Sequence, residues 1–121
     1  MSLRILQVID RLDIGGAEKI AVMISKILSQ GDILSDILTI VVPGVLSESL
    51  HSNVNCINLS RKSKWSIFSA RSFMKIISSY DLIHVHLRHN LKWVIFWSII
   101  LRKKLNIVFH DHNNTILKWN I

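Results

Sequence analysis

Apolar and polar positions along this chain follow two periods in alternation. Ile5-Leu6-Gln7-Val8-Ile9 is a short run bounded by Asp10 and Arg11, and its β-branched content predicts a strand covered on both faces. From Ala17 onward the apolar residues fall at Ile20, Ala21, Ile24, Ile27 and Leu28, a single stripe at helical spacing, with Glu18, Lys19, Ser25 and Lys26 turned away from it. Gly15 and Gly16 separate the two, so Arg4 to Leu28 reads as strand, glycine loop and helix. Gln30-Gly31-Asp32 supplies the stop, with Gly31 expected in the left-handed conformation that ends helices.

The same alternation continues. Ile37 to Val42 predicts a second strand, closed by the turn signal Pro43-Gly44, and Val45 to Leu50 a short helical turn. Val54 to Leu59 mixes apolar residues with Asn55 and Asn58 and predicts a third strand near the sheet edge. Lys64 to Tyr80 predicts a second helix, with Trp65, Phe68, Phe73, Ile76 and Ile77 near helical spacing. Leu82 to His86 predicts a fourth strand in which His84 and His86 share one face and Ile83 and Val85 the other. Leu91 to Leu101 is apolar almost all round, which predicts a third helix buried on two sides, packed on the sheet by Trp93 and Trp97, with Arg102-Lys103-Lys104 at its negative pole. Ile107-Val108-Phe109 predicts a fifth strand, and Thr115 to Ile121 is a tail too short for a further strand and helix. The order implies an α/β fold, a Rossmann-like parallel sheet of about five strands flanked by helices. Ligands of such sheets bind outside the carboxyl ends of the strands, which would bring Gly15 and Gly16, His84 and His86, and His110 to Asn113 onto one rim.

Length and composition narrow the class. With 121 residues, half of them apolar, the chain reads as a single domain with a real core. One cysteine, Cys56, excludes an internal disulfide framework and suits a reducing compartment; its apolar neighbours make it a small core residue. No leader pattern precedes the first strand, and the longest apolar run, Trp93 to Leu101, is about half the roughly 20 residues a spanning helix needs, so a cytoplasmic protein is expected. The net charge of +7 gathers in Arg61-Lys62-Ser63-Lys64 and Arg102-Lys103-Lys104. Nucleic acid, an anionic membrane or phosphorylated substrates could each answer it, as could plain solvation of loop ends. No zinc finger, helix-turn-helix spacing or aromatic RNA-binding signature supports nucleic acid. Arg61 to Lys75, where Trp65, Ile67 and Phe68 stand among basic residues, could lie on an anionic bilayer.

Two features carry candidate chemistry. Gly15 and Gly16 precede a helix whose first-turn amides are unpaired donors, an arrangement that receives phosphate or simply makes a tight turn. G-x-G-x-x-G is absent, which sets aside a nicotinamide or flavin site. Five of the six histidines fall between His84 and His112. They can hydrogen-bond hydroxyl groups, assemble a zinc or di-metal hydrolase site from His84, His86, His110, Asp111 and His112, or cap strand ends; His51 and His89 read as caps or plain surface.

Three stretches also carry a resemblance. Ile5-Leu-Gln-Val-Ile-Asp-Arg-Leu-Asp-Ile-Gly-Gly-Ala-Glu18 resembles the opening of the GT-B glycosyltransferases of family 4, Asp81-Leu-Ile-His-Val-His86 their Asp-[Ile/Val]-[Ile/Val]-His-x-His strand, and Ile107-Val-Phe-His-Asp-His-Asn113 the following strand ending in histidine. The resemblance covers nearly the whole chain. It implies a partial GT-B N-terminal domain over residues 1–121, incomplete at its C-terminus, with the donor-binding domain and its Glu-x7-Glu pair absent. The implied activity is retaining hexosyl transfer from a nucleotide-sugar to a glycan or lipid-linked acceptor, without metal or other cofactor, in surface polysaccharide or glycolipid assembly at the inner face of the cell membrane. Gly15, Gly16 and Glu18 would then lie beside the donor phosphates, and His84, His86 and Asn113 would line the substrate rim. His110 would face the reaction centre, with His112 as competitor because a subset of the family reads His-Ser-His-Asn there. Such a half is expected to be inactive alone. The alternatives are a noncatalytic binding subunit of a split glycosyltransferase and, third, a metal-dependent hydrolase-like histidine site.

Overall fold

The computed structural model describes residues 3–12, 16–31, 33–50, 54–111 and 115–120, with the backbone alone at 17, 48, 49, 111 and 115–120. Its elements run β1 (Leu3–Ile9), α1 (Gly16–Ser29), β2 (Ile33–Thr39), a 3₁₀ turn (Val45–Ser49), β3 (Cys56–Asn58), α2 (Ile67–Ile77), β4 (Leu82–His86), α3 (Arg88–Ile100), β5 (Asn106–Asp111) and β6 (Thr115–Asn120). The sheet order is β3-β2-β1-β4-β5-β6. The first five strands are parallel, as the alternation of elements predicts, and β6 runs antiparallel to β5.

Strand order reverses between β1 and β4. With crossovers of one hand, that reversal sends the helices to opposite faces of the sheet. Ala21 of α1 packs with Ile9 and Ile37 on one face. On the other, Phe73 and Met74 of α2 and Trp93, Val94 and Trp97 of α3 close over Leu6, Val8, Leu38, Ile83, Val85, Ile107 and Phe109. Register fixes which side chains share a face: Gln7 pairs with His84, and His86 with His110. These four lie on the α1 face, and among the described residues α1 is the helix found there.

Several boundaries differ from the sequence expectation for reasons visible in the packing. β2 starts at Ile33 and not Ile37, because the carboxylate that interrupts the apolar run is satisfied by distant partners: Asp36 accepts from the Asn55 N–H (3.1 Å) and from the Tyr80 hydroxyl (2.6 Å). α3 starts at Arg88, its first turn held by Asn90, whose Nδ2 donates to the His86 carbonyl (2.8 Å). α2 is shorter than expected, since Ser66 caps it by accepting from the Ser69 N–H. The tail beyond Thr115 supplies a sixth strand by pairing with β5, a role that needs neither a helix nor its own core. Gly31 is not left-handed; α1 ends in a tight turn in which the Gln30 and Gly31 amides donate to the Ile27 and Leu28 carbonyls. Nor is α3 buried on two sides: Phe96, Ile99 and Ile100 are exposed, as is Ile27 on α1. The glycine the fold does demand is Gly44, at φ 78°, where an added Cβ would come within 2.4 Å of the Leu12 backbone.

Candidate functional site

β4 and β5 end side by side, and their register brings His84, His86 and His110 into one cluster. The rings of His84 and His86 stack with centroids 4.3 Å apart and planes at 21°. His110 approaches both, at 5.6 Å from His84 and 5.5 Å from His86. One ring nitrogen from each lies within 4.8 Å of the others. His86 is fully buried, while His84 and His110 are half-buried.

A buried glutamine orients the cluster. Gln7 Nε2 donates to the Ala21 carbonyl of α1 (3.0 Å), which turns its Oε1 toward His86 Nε2 at 2.8 Å. An amide oxygen only accepts, so Nε2 of His86 carries a proton and donates it to Gln7. Gln7 thus ties α1 to the histidines of β4.

A second polar group gathers at the end of β1. Asp10 accepts from Asn90 Nδ2 (3.4 Å) and lies 3.6 Å from His89 Nε2 and 3.9 Å from Arg11 Nε. Asn90 is itself buried, and its Oδ1 accepts no hydrogen bond from the described residues. Arg61 faces the same carboxylate: burial draws its guanidinium pKa down, and the Asp10 charge opposes that fall. Beside it opens a cleft of about 430 Å³ lined by Arg61, Lys64, Trp65, His89, Lys92 and the indoles and ring of Trp93 and Phe96. Its wall is fixed from beneath, since the indole N–H groups of Trp93 and Trp97, one turn apart, both donate to the Lys64 carbonyl (3.1 and 3.0 Å). These indoles pack α3 onto the sheet as expected.

Of the site residues expected from sequence, His84, His86 and His110 come together. Gly16 is the first residue of α1, and a Cβ built there meets none of the described atoms within 4 Å. Glu18 is half-buried in the first turn of that helix. Gly15, His51, His112 and Asn113 lie outside the described residues, as does the side chain of Asp111. Sequence reasoning passed over Gln7, Asn90 and Asp10. The signal for Gln7 was a polar residue in the middle of an otherwise apolar strand.

The cluster can do two kinds of chemistry. Neutral imidazoles offer donors and acceptors to hydroxyl groups, and three of them form the nitrogen set of a divalent metal. Bonds of 2.0–2.1 Å at tetrahedral angles would need ring nitrogens about 3.3 Å apart, so a metal would require the 4.8 Å spread to contract. Cys56 adds no nucleophile: burial pushes its thiol pKa up, against a smaller lowering by the Thr39 hydroxyl. Among the described residues no helix is long and apolar enough to cross a membrane. A scan against protein-family models finds no match, and a search of curated proteins finds no relative.

Proposed function

We propose that this chain is the acceptor-side domain of a retaining, metal-independent glycosyltransferase of GT-B family 4 type, cytoplasmic and working with a donor-binding domain. The observation that carries the reading is the cluster of His84, His86 and His110 at the carboxyl ends of β4 and β5, beside the point where strand order reverses. Described parts of all three stretches that carry the family resemblance belong to adjacent elements there: β1 and the start of α1, the His-x-His strand and the histidine of β5.

In this reading the nucleotide-sugar phosphates approach the start of α1, where Gly16 leaves room and the first-turn amides and helix dipole favour negative charge. His110, half-buried and exposed on one side, hydrogen-bonds a sugar hydroxyl near the reacting carbon. His86, held by Gln7, keeps its neighbours in place and does not itself reach substrate. The departing phosphate oxygen accepts the acceptor's proton, so no histidine needs to act as base.

The test is sugar transfer from a panel of nucleotide-sugars, with the chain alone and mixed with a family 4 donor domain. Transfer in the mixture only is expected, and His110→Ala should lower it about 10- to 100-fold, the worth of one or two hydrogen bonds in a transition state. Gly16→Val should lower it comparably, and thermal unfolding checks the fold, since a Cβ there meets none of the described atoms within 4 Å. Mixture activity untouched by either substitution would overturn the assignment of the site. A second reading rests on the same three nitrogens: a His₃ metal centre, which predicts stoichiometric zinc in the purified protein and its loss in His84→Ala.

A further inference from the structure

The outer surface of α2 and α3 does not take part in the histidine site. Ten of the fifteen lysines and arginines lie between Arg61 and Lys104, with only Asp81 of the eight acidic residues. Neither helix carries an acidic residue. Yet this charged layer exposes large apolar side chains: Trp65 is 65% exposed, Phe68 81%, Ile99 62% and Ile100 53%.

Three of these side chains, Trp65, Ile99 and Ile100, line up with Phe96. Trp65 meets Phe96 edge-on at 5.6 Å, and Ile99 and Ile100 follow Phe96 by three and four residues along α3, so they prolong one stripe. Cations flank the stripe at both ends. Near the top, Lys64 lies 5.5 Å over the Trp65 ring and Lys92 lines the same cleft. At the bottom, Arg71, Lys75 and Lys103 surround a second hollow of about 430 Å³ with Met74 and Leu101 in it.

We propose that the α2–α3 face is a docking surface for an anionic lipid bilayer. Charge complementarity selects a negative partner, and the apolar side chains select a bilayer among negative partners. Trp and Phe bury their rings at the headgroup level while Lys and Arg reach phosphate, the pairing that interfacial anchors use. Aromatic rings could stack on bases, but Ile99 and Ile100 have no such use; they gain only from leaving water for acyl chains. A second copy of the chain is disfavoured, since a two-fold contact would set this all-basic face against itself. With no crossing helix among the described residues, the contact is peripheral.

The experiment is sedimentation of the purified protein with vesicles of phosphatidylcholine alone and of equimolar phosphatidylcholine and phosphatidylglycerol. Binding to the phosphatidylglycerol vesicles only is expected. Trp65→Ala with Phe68→Ala should lower partitioning more than about tenfold, and so should Arg71→Glu with Lys75→Glu, at about fivefold or more per charge removed. Lys19→Glu with Lys26→Glu on α1 changes net charge equally on the opposite face and should alter binding less than about threefold. Thermal unfolding of each variant checks that the exposed substitutions leave the fold intact. Equal loss from the α1 pair would reduce the effect to bulk charge and overturn the proposal. So would binding indifferent to Trp65 and Phe68, tighter binding to single-stranded nucleic acid than to the vesicles, or a dimer that Phe68→Ala dissolves. No sugar is present in this assay, so its failure leaves the glycosyltransferase reading where it stood.

Discussion

The Gln7–His86 pair is the most exacting test of the site's architecture. Both side chains are fully buried, and they are joined at 2.8 Å across 79 residues of sequence. Gln7→Met keeps length and approximate volume but removes the acceptor of the His86 Nε2–H. A buried donor left without a partner costs about 1–3 kcal/mol, and loss of the bond to Ala21 adds up to about 1 kcal/mol, offset in part because methionine buries no amide. The Ala21 carbonyl itself is spared, since a carbonyl inside a helix keeps its ladder bond. The net loss is about 2 kcal/mol. At a urea slope of about 1–3 kcal/mol per molar, the unfolding midpoint should fall by about 1 M. His86→Leu should cost a similar amount by orphaning the Gln7 oxygen. The double variant should cost less than the sum of the two by about 1–2 kcal/mol, because removing both partners leaves nothing unsatisfied. Strict additivity, within about 0.5 kcal/mol, would refute the pairing. Nitrogen-15 spectra of the imidazoles give an independent check: neutral His86 should be the Nε2–H tautomer in the parent protein. A Nδ1–H tautomer would mean that the glutamine amide is turned the other way and that Ala21 does not set its orientation.

Two further outcomes follow from single contacts. Gly44→Ala should destabilise by about 3 kcal/mol or more in urea titration, combining a positive φ with a Cβ 2.4 Å from the Leu12 backbone; a loss under about 1 kcal/mol would mean the turn relaxes freely. Tyr80→Phe should cost about 1.5–3 kcal/mol by removing the 2.6 Å hydroxyl donor to buried Asp36. Burial foremost, then the bond to Asp36 and its charge, hold the Tyr80 pKa well above its ordinary value of 10.0, with Arg4 opposing. The folded state therefore keeps this proton when the unfolded chain has lost it. The Tyr80 contribution is fully present below pH 10 and is lost as pH rises beyond that value. The parent should lose more stability between pH 9 and pH 11 than Tyr80→Phe does, and equal slopes would refute the coupling.

What the sequence revealed depends on how local the governing contact is. The shared face of His84 and His86 was readable because strand geometry alone imposes it. The arrival of His110 beside them needs the register of β4 with β5, and that is legible only through the βαβ order that makes the two strands neighbours. Gln7 was not legible, because its burial is tolerable only with His86 on one side and Ala21 on the other. The early start of β2 was hidden for the same reason, since Asp36 is a strand residue only when Tyr80 and Asn55 satisfy it. The apolar surround of α3 was read correctly as apolar and wrongly as buried. Hydrophobic content along a helix measures what the side chains avoid, and Phe96, Ile99 and Ile100 avoid water equally well against a core or against something outside the chain.

The two faces of the sheet are joined at one carboxylate, and this links the two proposals. Asp10 follows β1, the strand at the reversal of order, and it is bound by Asn90, which also holds the backbone of His86. The same carboxylate draws His89 and Arg61, which line the cleft that opens toward Trp65 and Phe96. A partly buried carboxylate in a chain of net charge +7 costs desolvation, and the surrounding donors and cations offset it while fixing the loops of both faces to one another. The cleft therefore keeps a constant relation to the histidine cluster. With α2 and α3 against a bilayer, the cleft lined by Lys64, Trp65, Lys92 and Phe96 opens at the headgroup layer. The densest positive charge thus lies on the α2–α3 face, opposite the face that holds the histidines.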